Sequence, residues 1–452
     1  MPDPTPYPER RRQVMHAMGE GVMVIPQAPE VTRNRDTHYP YRHDSYFHWL
    51  TGFPEPEAVV VLLAGRRPRQ VLFCREKDPE RETWDGHRYG PKAAAEVFGF
   101  DAAYPIAQLD KRMPRYLADQ PAVHTILGRD TAWDTRVLGW LNAVRAKTRS
   151  GVRAPERLIE ARTLLDEMRL IKDALELAHM RRAAEISAVA HRRAMRAAAP
   201  GRHEYEIEAE LIYEFRRQGA AAPAYTPIVA GGANACVLHY ISNDQPLKDG
   251  DLLLIDAGAE YAGYAADITR TFPVNGRFSA AQRAVYEIVL AAQAAAIAAV
   301  RPGSSWHAPH EAAVRVLTQG LKDLKILKGD LDGLIETEAY KPFYMHRTGH
   351  WLGMDVHDAG EYKLAGQWRP LEPGMTCTVE PGLYLRADDE RVPKPYRGIG
   401  IRIEDDVLVT DTGCEVLTLD APKAVDEIEA WMREGRASPP AADMGHGKRR
   451  AR

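Results

Sequence analysis

Two aspartates at the borders of apolar runs constrain this chain more than any other feature. Residues 252–255 form a short, uninterrupted apolar run, which is typical of a strand buried on both faces, and Asp256 follows it directly. A second strand-like run, 268–272, begins just after Asp267. Because burying a bare carboxylate is costly, each acid needs a cation or a hydrogen-bond donor nearby. Considered alone, such aspartates are usually turn caps or members of local ion pairs.

Composition limits the function classes that are open to this chain. Its 452 residues allow two or three domains, and 60 Lys and Arg against 63 Asp and Glu give a net charge of -3. That balance predicts neither a nucleic-acid-binding nor a membrane-binding surface. The four cysteines are far apart and form no CxxC pair, which indicates buried thiols in a reducing compartment. Since the N-terminus lacks a signal-peptide pattern and no apolar run could span a bilayer, we expect a cytoplasmic protein.

The N-terminal region mixes short β-like runs with turns and helical stretches. Residues 58–63 and 70–74 are predicted strands that a Gly-Arg-Arg-Pro turn separates. Two further segments, 36–52 and 82–90, are rich in aromatic residues, histidine and arginine. Because Tyr, Trp and Arg favour interfaces, each segment is equally consistent with a contact surface and with a half-buried loop.

Helix patterns mark the rest of the chain. Residues 158–172 are charged and show no strand alternation, and apolar residues at helical spacing then predict helices around 183–194 and 207–215. A Ser-x-x-Gln capping box at 279–282 predicts the start of a helix that continues to residue 300.

Acidic residues recur on later strand-like runs. Glu380 ends the run 376–380, and Glu404 lies within the run 399–409, where isoleucines alternate with other residues. Alternation places Arg402 and Glu404 on one face of that predicted strand, opposite the isoleucines. Acidic side chains on consecutive core strands are expensive to bury without partners.

Several histidines lie in the same region. His239 belongs to residues 236–240, which we predict to be a strand. His346 and His350 have the spacing of a zincin helix, but the glutamate after the first histidine is missing and Gly349 argues against a helix. We therefore reject a zincin site.

Five polar residues on or beside the apolar runs form one set of potential metal ligands: Asp256, Asp267, His350, Glu380 and Glu404. Four carboxylates with one imidazole suit Mn²⁺, Co²⁺, Fe²⁺ or Zn²⁺ better than a thiolate-binding metal. Four acids around one cation would be over-charged, whereas two divalent cations match their charge. Bridging carboxylates would hold the metals roughly 3.5–4 Å apart, the spacing of hydrolytic two-metal sites. The sequence therefore predicts a dinuclear metal site.

The order and surroundings of these ligands resemble a known family. Over residues 170–419 the chain resembles the pita-bread metallopeptidases, whose ligands run Asp, Asp, His, Glu, Glu. The resemblance is to aminopeptidase P, the Xaa-Pro aminopeptidases, through residues 255–258, 263–273, 350–358, 378–384 and 398–405, and through residues 39–42 and 50–57 near the N-terminus. It implies a metal-dependent enzyme that removes the N-terminal residue from peptides with proline in the second position.

The resemblance also implies a fold class and a domain organisation. We expect a mixed α+β and α/β protein, in which an N-terminal creatinase-like α/β domain precedes a C-terminal pita-bread metallopeptidase domain. The expected boundaries are 1–167 and 168–436. Residues 437–452 are rich in Pro and Ala and then basic, and we expect them to form a disordered tail.

Each proposed ligand receives a role from the same resemblance. Asp267 and Glu404 would bridge two divalent metals, His350 and Glu380 would complete one site, and Asp256 would serve the other. The family is commonly activated by manganese, with cobalt and zinc as alternatives. A water bound by both metals would attack the scissile carbonyl, with Glu380 as the proton shuttle.

Substrate contacts follow in the same way. Three histidines are expected around the substrate and the tetrahedral oxyanion: His239, His346 and His357. His357 would bind the carbonyl beyond the proline, Arg402 would pair with the metal-site carboxylates, and Tyr384 follows the Glu380 motif. The chain differs from the family at Arg347-Thr348, where smaller or apolar residues are usual, so we expect a different pocket rim.

Oligomerisation is a further implication of the resemblance. Members of the family are often tetramers, in which N-terminal loops reach a neighbour's active site. We therefore expect a homo-oligomer, either a dimer or a tetramer, and a substrate-binding role for Asp36, Arg42 and Trp84.

Three related enzyme activities and one non-catalytic function are alternatives. Prolidase shares the fold and the metals but cleaves Xaa-Pro dipeptides, and residues 39–42 and 83–86 favour the aminopeptidase. Methionine aminopeptidase does not need the N-terminal domain, and creatinase-like chemistry is metal-free and would not retain five ligands. The same fold also occurs as an inactive peptide-binding module in chromatin chaperones. The intact ligand set and the missing acidic tail argue against that module.

Overall fold

The apolar runs of the chain form two large, separate hydrophobic cores. The computed structural model describes residues 6–437, and the chain divides into two units after Arg169. One core draws on residues 22–144 and the other on residues 170–432. The tail that we expect to be disordered lies outside the described residues, except for Ala437, where the last helix ends. Between residues 6 and 437, no helix is both long and apolar enough to cross a bilayer.

The first unit is built around one mixed sheet. Its helices are α1 (Tyr7–Met18), α2 (Ser45–Thr51), α3 (Pro79–Asp85), α4 (Gly90–Phe98), α5 (Leu109–Leu117), α6 (Thr131–Arg145) and α7 (Arg162–Leu170), the last of which ends at the division. Its strands are β1 (Gly21–Pro26), β2 (Thr32–Asn34), β3 (Thr37–His38), β4 (Val59–Ala64), β5 (Arg69–Cys74), β6 (Ala102–Pro105), β7 (Ala122–Thr125) and β8 (Arg157–Glu160). Six of the strands form the sheet, in the order β6-β5-β4-β1-β7-β8.

The strands at the centre of this sheet are antiparallel and the outer ones are parallel. The predicted strands 58–63 and 70–74 are confirmed as β4 and β5. Val24 and Val61 are fully buried on the sheet and pack in one cluster with Met113 of α5 and Val137 of α6. Residues 158–172 show no strand alternation, yet the region begins within a strand, because β8 pairs in parallel with β7. Its polar side chains are tolerated because they lie at the sheet edge, half-buried or exposed.

The second unit contains longer helices and shorter strands. Its helices are α8 (Ala174–Ala197), α9 (Glu204–Arg217), α10 (Ala280–Ala299), α11 (Ala308–Asp323), α12 (Leu331–Glu336) and α13 (Val425–Ala437). Its strands are β9 (Ala222–Pro223), β10 (Ile228–Gly231), β11 (Leu252–Asp256), β12 (Ala259–Tyr261), β13 (Tyr264–Ala265), β14 (Thr269–Pro273), β15 (Lys363–Leu364), β16 (Gln367–Trp368), β17 (Thr376–Val379), β18 (Gly382–Leu385), β19 (Ile399–Arg402), β20 (Asp405–Val409) and β21 (Cys414–Val416).

The helix predictions for this unit are confirmed. The predicted apolar face of α8 is buried, including Ile186, and α9 buries Ile207 and Phe215. A capping box begins α10, because Ser279 Oγ accepts a hydrogen bond from the Gln282 N–H and the Gln282 side chain accepts one from the Ser279 N–H. Helices α8 to α11 bury their apolar faces in the same core as β11, β14 and β17 to β20.

The strands of the second unit form short antiparallel groups. Strand β11 lies between β10 and β14, β20 lies between β17 and β21, and β18 pairs with β19. The continuous strand expected at 399–409 is instead two strands, with a break at Ile403 and Glu404. The partner run breaks opposite it, at Glu380 and Pro381, since proline has no N–H to donate to a ladder. The Ile403 N–H bridges the gap by donating to the Pro381 carbonyl at 3.3 Å.

Candidate active site

Strands β11 and β14 bring two acidic side chains together. Asp256 is the last residue of β11 and Asp267 lies two residues before β14. The connecting loop folds back closely, because a Cβ at Gly258 would overlap the carbonyl oxygen of Ala266. The Tyr225 hydroxyl lies 2.5 Å from an oxygen of each aspartate. One hydroxyl hydrogen cannot satisfy two carboxylates, so the pair still requires a proton or a cation.

Two glutamates enter the same site from the paired strand breaks. The Glu404 N–H donates to the Thr269 carbonyl at 3.1 Å, which holds Glu404 beside β14. The Thr269 hydroxyl also donates to Glu404 Oε2 at 2.6 Å. The Glu380 N–H donates to the Thr348 carbonyl at 2.8 Å, which ties Glu380 to the segment that carries His350. The four acids therefore reach one cavity from four separate segments of backbone.

His350 presents one ring nitrogen to these carboxylates. Its Nδ1 lies 2.9 Å from the Trp351 carbonyl oxygen, so Nδ1 carries a proton and Nε2 is the nitrogen that faces the carboxylates. Nε2 lies 3.4 Å from an oxygen of Asp267 and 3.7 Å from one of Glu380. Ligand atoms of Asp267, His350 and Glu404 all lie within 4.8 Å of one another.

The acids of this cluster hold their protons more tightly than isolated carboxyl groups. Burial raises the pKa of Glu380 to about 7, against the opposing effect of His350 and Arg402. Burial and the neighbouring acids raise the pKa of Glu404 well above its usual range and also raise that of Asp267. Burial alone would lower the pKa of His350, but Asp267 and Glu380 raise it more strongly, to about 9.

The donor set fits divalent cations. Carboxylate oxygens and one imidazole nitrogen are hard or borderline donors, and among the described Lys and Arg residues lining the cavity only Arg402 forms an ion pair with these acids. A lone pair of His350 that faces two carboxylate oxygens is repulsive unless a cation or a proton lies between them. The raised pKa values express the same deficit of positive charge.

Arg402 links the acids to a buried polar network. Its guanidinium donates to Asp256 Oδ2 at 2.6 Å, to the Tyr384 hydroxyl at 3.0 Å and to Thr269 Oγ1 at 3.1 Å. The predicted pairing of Arg402 with a carboxylate of the cluster is therefore present in the structure. The Tyr384 hydroxyl, in turn, lies 2.8 Å from Nε2 of His346. Because each of these groups is satisfied by the next, the network fixes the orientation of Asp256 and Tyr384.

An outer layer of charged residues supports the backbone of the site. Arg270 is fully buried and forms an ion pair with Asp405 at 2.6 Å, while its other guanidinium nitrogen donates to the Glu404 carbonyl. Lys423 pairs with the second carboxylate oxygen of Asp405. On the other side, the Asp267 N–H donates to the Asp406 carboxylate at 3.1 Å. These contacts fix the backbone of Glu404 and of Asp267, the two residues predicted to bridge the metals.

A cavity of about 930 Å³ opens onto the acids, and its lining residues all belong to the second unit. His346 lies in its wall, where Nδ1 donates to the Arg347 carbonyl at 2.7 Å and Nε2 accepts from Tyr384. Burial and the neighbouring Arg402 lower the pKa of His346 to about 3, so the ring is neutral. Both nitrogens of His346 are thus hydrogen-bonded, and its Nδ1 also lies 3.7 Å from an oxygen of Glu380.

His357 and His239 line the same cavity and are exposed to it. The His357 ring lies edge-on to His350, with 4.3 Å between ring centroids. The expectation of a strand at 236–240 is wrong, because a 3-10 helix ends at Cys236 and His239 lies in the turn after it. Turn-forming Gly-Gly-Ala-Asn residues precede this segment and override its local strand pattern.

A buried ion pair holds the segment between His350 and His357. Lys172 Nζ lies 2.8 Å from Asp358 Oδ2, and both side chains are 1% exposed. Gly353 leaves room for this pair, because a Cβ there would overlap the Asp358 carboxylate. Lys172, which precedes α8, therefore fixes the position of Asp358, the residue next to His357.

We predict that Lys172→Met lowers the free energy of unfolding by about 3–5 kcal/mol, because it leaves the buried carboxylate of Asp358 without its cation. Urea unfolding measures the loss. The double variant Lys172→Met, Asp358→Leu replaces the pair with apolar side chains and is expected to recover most of it. A single variant as stable as the wild type would show that the pair does not hold this segment.

The three residues expected to reach a neighbouring active site lie in the first unit. Asp36 and Arg42 are exposed, one in the β2–β3 hairpin and the other in the loop before α2, where Arg42 donates to the Ser45 hydroxyl at 3.2 Å. Trp84, on α3, is 82% exposed. The structure brings the five predicted ligands, the three histidines and Arg402 to one cavity, and Tyr384 is bonded to two of its lining residues, Arg402 and His346. Asp36, Arg42 and Trp84 lie outside the lining.

Sequence reasoning missed several residues of the site. Tyr225, Thr269 and Asp406 each bond to an acid of the cluster, yet none belongs to a ligand pattern. His307 and His310 line the cavity from the start of α11. Asp406 was the most accessible to sequence reasoning, since it is the third of three consecutive acids that begin at Glu404 and precede an apolar stretch.

Comparison with known proteins agrees with this geometry. Residues 178–411 match the model of metallopeptidase family M24, and residues 7–125 match the aminopeptidase P N-terminal domain. The Xaa-Pro aminopeptidase of Escherichia coli is 47% identical over 95% of this chain and 98% of its own length. Together these matches confirm the resemblance found in the sequence.

Solved structures extend the similarity to the fold. The Pseudomonas aeruginosa aminopeptidase PepP is 53% identical, with a TM-score of 0.95 over 96% of this chain and 99% of its own. A Zn-substituted E. coli aminopeptidase P in complex with product is 46% identical, with a TM-score of 0.93 over 96% and 99% of the two chains. The expected N-terminal α/β domain and pita-bread domain are confirmed, and the chain belongs to metallopeptidase family M24.

Proposed function

We propose that this protein is a metal-dependent Xaa-Pro aminopeptidase, which removes the N-terminal residue from peptides with proline in the second position. The observation that carries the proposal is the meeting of four carboxylates and His350 in one cavity, in a chain 47% identical to a named Xaa-Pro aminopeptidase over nearly its whole length. The cavity extends well beyond the acids and has room for a peptide substrate.

The residues that would hold the metal are the five of the predicted ligand set. Asp267, His350 and Glu404 lie close enough to share one cation, with Glu380 beside His350 and Asp256 beside Asp267. When bound, two divalent cations lower the pKa of a coordinated water and polarise a carbonyl. We propose manganese as the native metal, with cobalt or zinc as substitutes; one similar enzyme has been studied in a Zn-substituted form.

Glu380 is the residue that we assign to proton transfer. A general acid–base must lie within reach of the reacting atoms, and an oxygen of Glu380 lies in the acid cluster, 3.7 Å from Nε2 of His350. It can therefore accept a proton from the nucleophilic water and release it to the nitrogen of the departing proline. Arg402 is held by Asp256 and by Tyr384, so we assign it a positioning role in the acid cluster.

The histidines divide into two groups by their contacts. Because both nitrogens of His346 are engaged, we propose that it acts by holding Tyr384, which in turn accepts a hydrogen bond from Arg402. His239 and His357 are exposed to the cavity and free to contact the peptide there. We assign His357 to the carbonyl beyond the proline and His239 to the wall around the proline ring.

The activity is tested by comparing a dipeptide with a longer peptide. We expect the manganese-loaded protein to release the N-terminal residue from Xaa-Pro-Xaa far faster than it cleaves Gly-Pro. A preference for Gly-Pro would instead identify a prolidase, which shares the metal site. Binding of Xaa-Pro-Xaa without cleavage would identify an inactive peptide-binding module.

Compartment and assembly belong to the same proposal. We propose that the protein is cytoplasmic, since all four cysteines lie within the described residues as free thiols, a state that a reducing compartment preserves. We propose a homo-oligomer, a dimer or a tetramer, in which the exposed loop around Asp36 and Arg42 and the exposed Trp84 contact a second copy. An 82% exposed tryptophan is unusual on a surface without a partner.

Trp84→Ala tests this assembly. We expect the variant to cleave tripeptides more slowly, by about tenfold, while its metal content stays unchanged, because an interface tryptophan is worth about 1–2 kcal/mol or more when truncated. Leu138→Ala is the control, since Leu138 is an exposed apolar residue of the same unit. A wild-type protein that is monomeric by light scattering at the assay concentration and fully active would contradict the proposal.

A further inference from the structure

The charged residues that line the cavity are segregated by sign. The carboxylates all gather at the candidate metal site: Asp256, Asp267, Glu380 and Glu404. One lining cation, Arg402, is bound to Asp256 among them. The two other lining cations, Arg347 and Lys363, are exposed, and neither forms an ion pair with these four carboxylates. The cavity therefore has an acidic inner end and a cationic rim.

Trp368 holds both cations of this rim. The guanidinium carbon of Arg347 lies 5.3 Å from the centroid of the Trp368 ring, and Nζ of Lys363 lies 4.3 Å from it. Lys363 and Trp368 are paired residues of the β15–β16 hairpin. Arg347 also approaches His307 Nδ1 at 3.4 Å, and the His307 ring stacks on Trp368 with 5.0 Å between centroids. Stacking restrains the two side chains and leaves their N–H groups able to bind an anion.

Neither cation is neutralised within the described part of the chain. The ion pairs among residues 6–437 include neither Arg347 nor Lys363, although many other exposed arginines pair with a carboxylate, such as Arg283 with Glu287 at 2.8 Å. Two restrained, unpaired cations on the wall of a substrate cavity form a surface complementary to a carboxylate.

The rim is connected to the candidate metal site along one wall. Ring contacts run from Trp368 through His307 to His310, and then through Tyr344 to His346, with centroids 4.8–5.9 Å apart. His346 contacts Tyr384 at the acidic end. When the scissile bond of a peptide lies at the acids, the residues that follow its proline therefore extend along this wall toward the rim. An extended chain advances about 3.3–3.6 Å per residue. The residue that follows the proline therefore lies farther out along the wall, and it carries either the free C-terminal carboxylate or an acidic side chain.

We propose that Arg347 and Lys363, positioned by Trp368, form a subsite for a carboxylate that lies C-terminal to the proline of the substrate. This inference rests on the proposed function and names the class of peptide that the site prefers. The carboxylate is supplied either by the free C-terminus of a tripeptide or by an acidic side chain in the third position. Because the subsite is exposed, the attraction is modest and weakens as salt rises.

Matched peptides test the subsite. The wild type is expected to cleave Ala-Pro-Ala about five- to tenfold more efficiently than Ala-Pro-Ala amide, mainly through a lower KM, the size expected of two exposed charge contacts. Ala-Pro-Glu amide against Ala-Pro-Gln amide tests the side chain as the source. A preference in either pair supports the subsite and identifies its source.

Variants assign the preference to the rim. Arg347→Gln, Lys363→Met should remove the difference between acid and amide by raising the KM of the acid toward that of the amide, and Arg347→Lys should retain most of the difference. Arg283→Gln, which removes an exposed arginine on α10, is the control and should leave the ratio as in the wild type. Equal efficiency for both pairs in the wild type, or an unchanged ratio in the double variant, would overturn the proposal.

A binding measurement separates this proposal from the proposed function. Titration calorimetry with the dipeptides Pro-Ala and Pro-Ala amide needs no turnover, and the acid should bind the wild type more tightly but not the double variant. Equal cleavage of the acid and amide forms of these Xaa-Pro peptides would refute the subsite and would leave the aminopeptidase assignment unaffected. Failure to cleave any of them, with the binding preference present, would refute the activity and retain the subsite.

Discussion

Replacement of Asp267 or Glu404 by alanine is expected to lower kcat/KM for Xaa-Pro-Xaa peptides by at least about 10³-fold, since a metal centre supplies several kcal/mol of transition-state stabilisation. Ligand atoms of both residues lie within 4.8 Å of each other and of His350, so removing either one takes a ligand from the same candidate cation position. If the cation is lost together with either carboxylate, the remaining buried acids no longer have its positive charge beside them.

Elemental analysis is the companion measurement. Each variant should retain less metal than the wild type at equal protein concentration, whereas Asp388→Ala, which removes an exposed acid paired with Arg386, should change neither metal content nor rate. Treatment of the wild type with a chelator should abolish hydrolysis, and Mn²⁺ or Co²⁺ should restore it. Full activity in a sample shown to be free of metal would contradict the two-metal account.

His357→Ala is expected to keep the metal content of the wild type and to lose about 10²-fold or more in turnover, the scale of removing one positioned donor. The bond before proline is a tertiary amide without an N–H, so an enzyme that cleaves it must recognise the ring and the carbonyl beyond. His357 lines the cavity and lies 4.3 Å, between ring centroids, from His350. Burial and the neighbouring His350 lower its pKa, so at neutral pH it keeps one N–H to donate.

The control for this variant is His16→Ala, which removes an exposed histidine from α1 of the first unit. Its turnover should equal that of the wild type. If His357→Ala lost metal together with activity, the histidine would be supporting the ligand His350 instead of contacting the peptide. If it cleaved Xaa-Pro-Xaa at the wild-type rate, its assignment to the substrate carbonyl would be wrong.

The four acids of the predicted ligand set could be found from the sequence because each one adjoins or lies within an apolar run. Asp256 and Asp267 border apolar strands, and Glu380 and Glu404 lie within apolar runs, so burial without compensation was implausible for all four. The capping box of α10 and the apolar faces of α8 and α9 were equally local, and these elements formed as predicted.

The contacts that complete the site depend on residues distant in sequence. Tyr225 reaches Asp256 and Asp267 across 31 and 42 positions, and nothing in its turn-rich surroundings indicates that contact. Lys172 is paired with Asp358 across 186 positions. Local patterns carry no information on such pairings, because the tertiary fold alone decides which polar group meets which.

Strand predictions failed where pairing or a break outweighed local propensity. The charged residues of β8 form a strand because β7 offers a parallel partner at the sheet edge. The run 399–409 reads as one strand, yet it breaks at Glu404, because its partner run breaks opposite at Pro381 and the Glu404 N–H bonds to Thr269 instead. Those two breaks release Glu380 and Glu404 from the ladder at the site, so the least regular backbone lies where the acids are needed.

The most direct test of the central claim is the rate of N-terminal release from Xaa-Pro-Xaa and from Xaa-Ala-Xaa by one manganese-loaded preparation. The account predicts cleavage before proline at a rate at least about 10²-fold higher than before alanine, because the site recognises the ring and the carbonyl that follows it. It also predicts that a chelator removes both activities together. Equal rates for the two peptides would show a general aminopeptidase, and they would contradict both the proline specificity and the role given to His357.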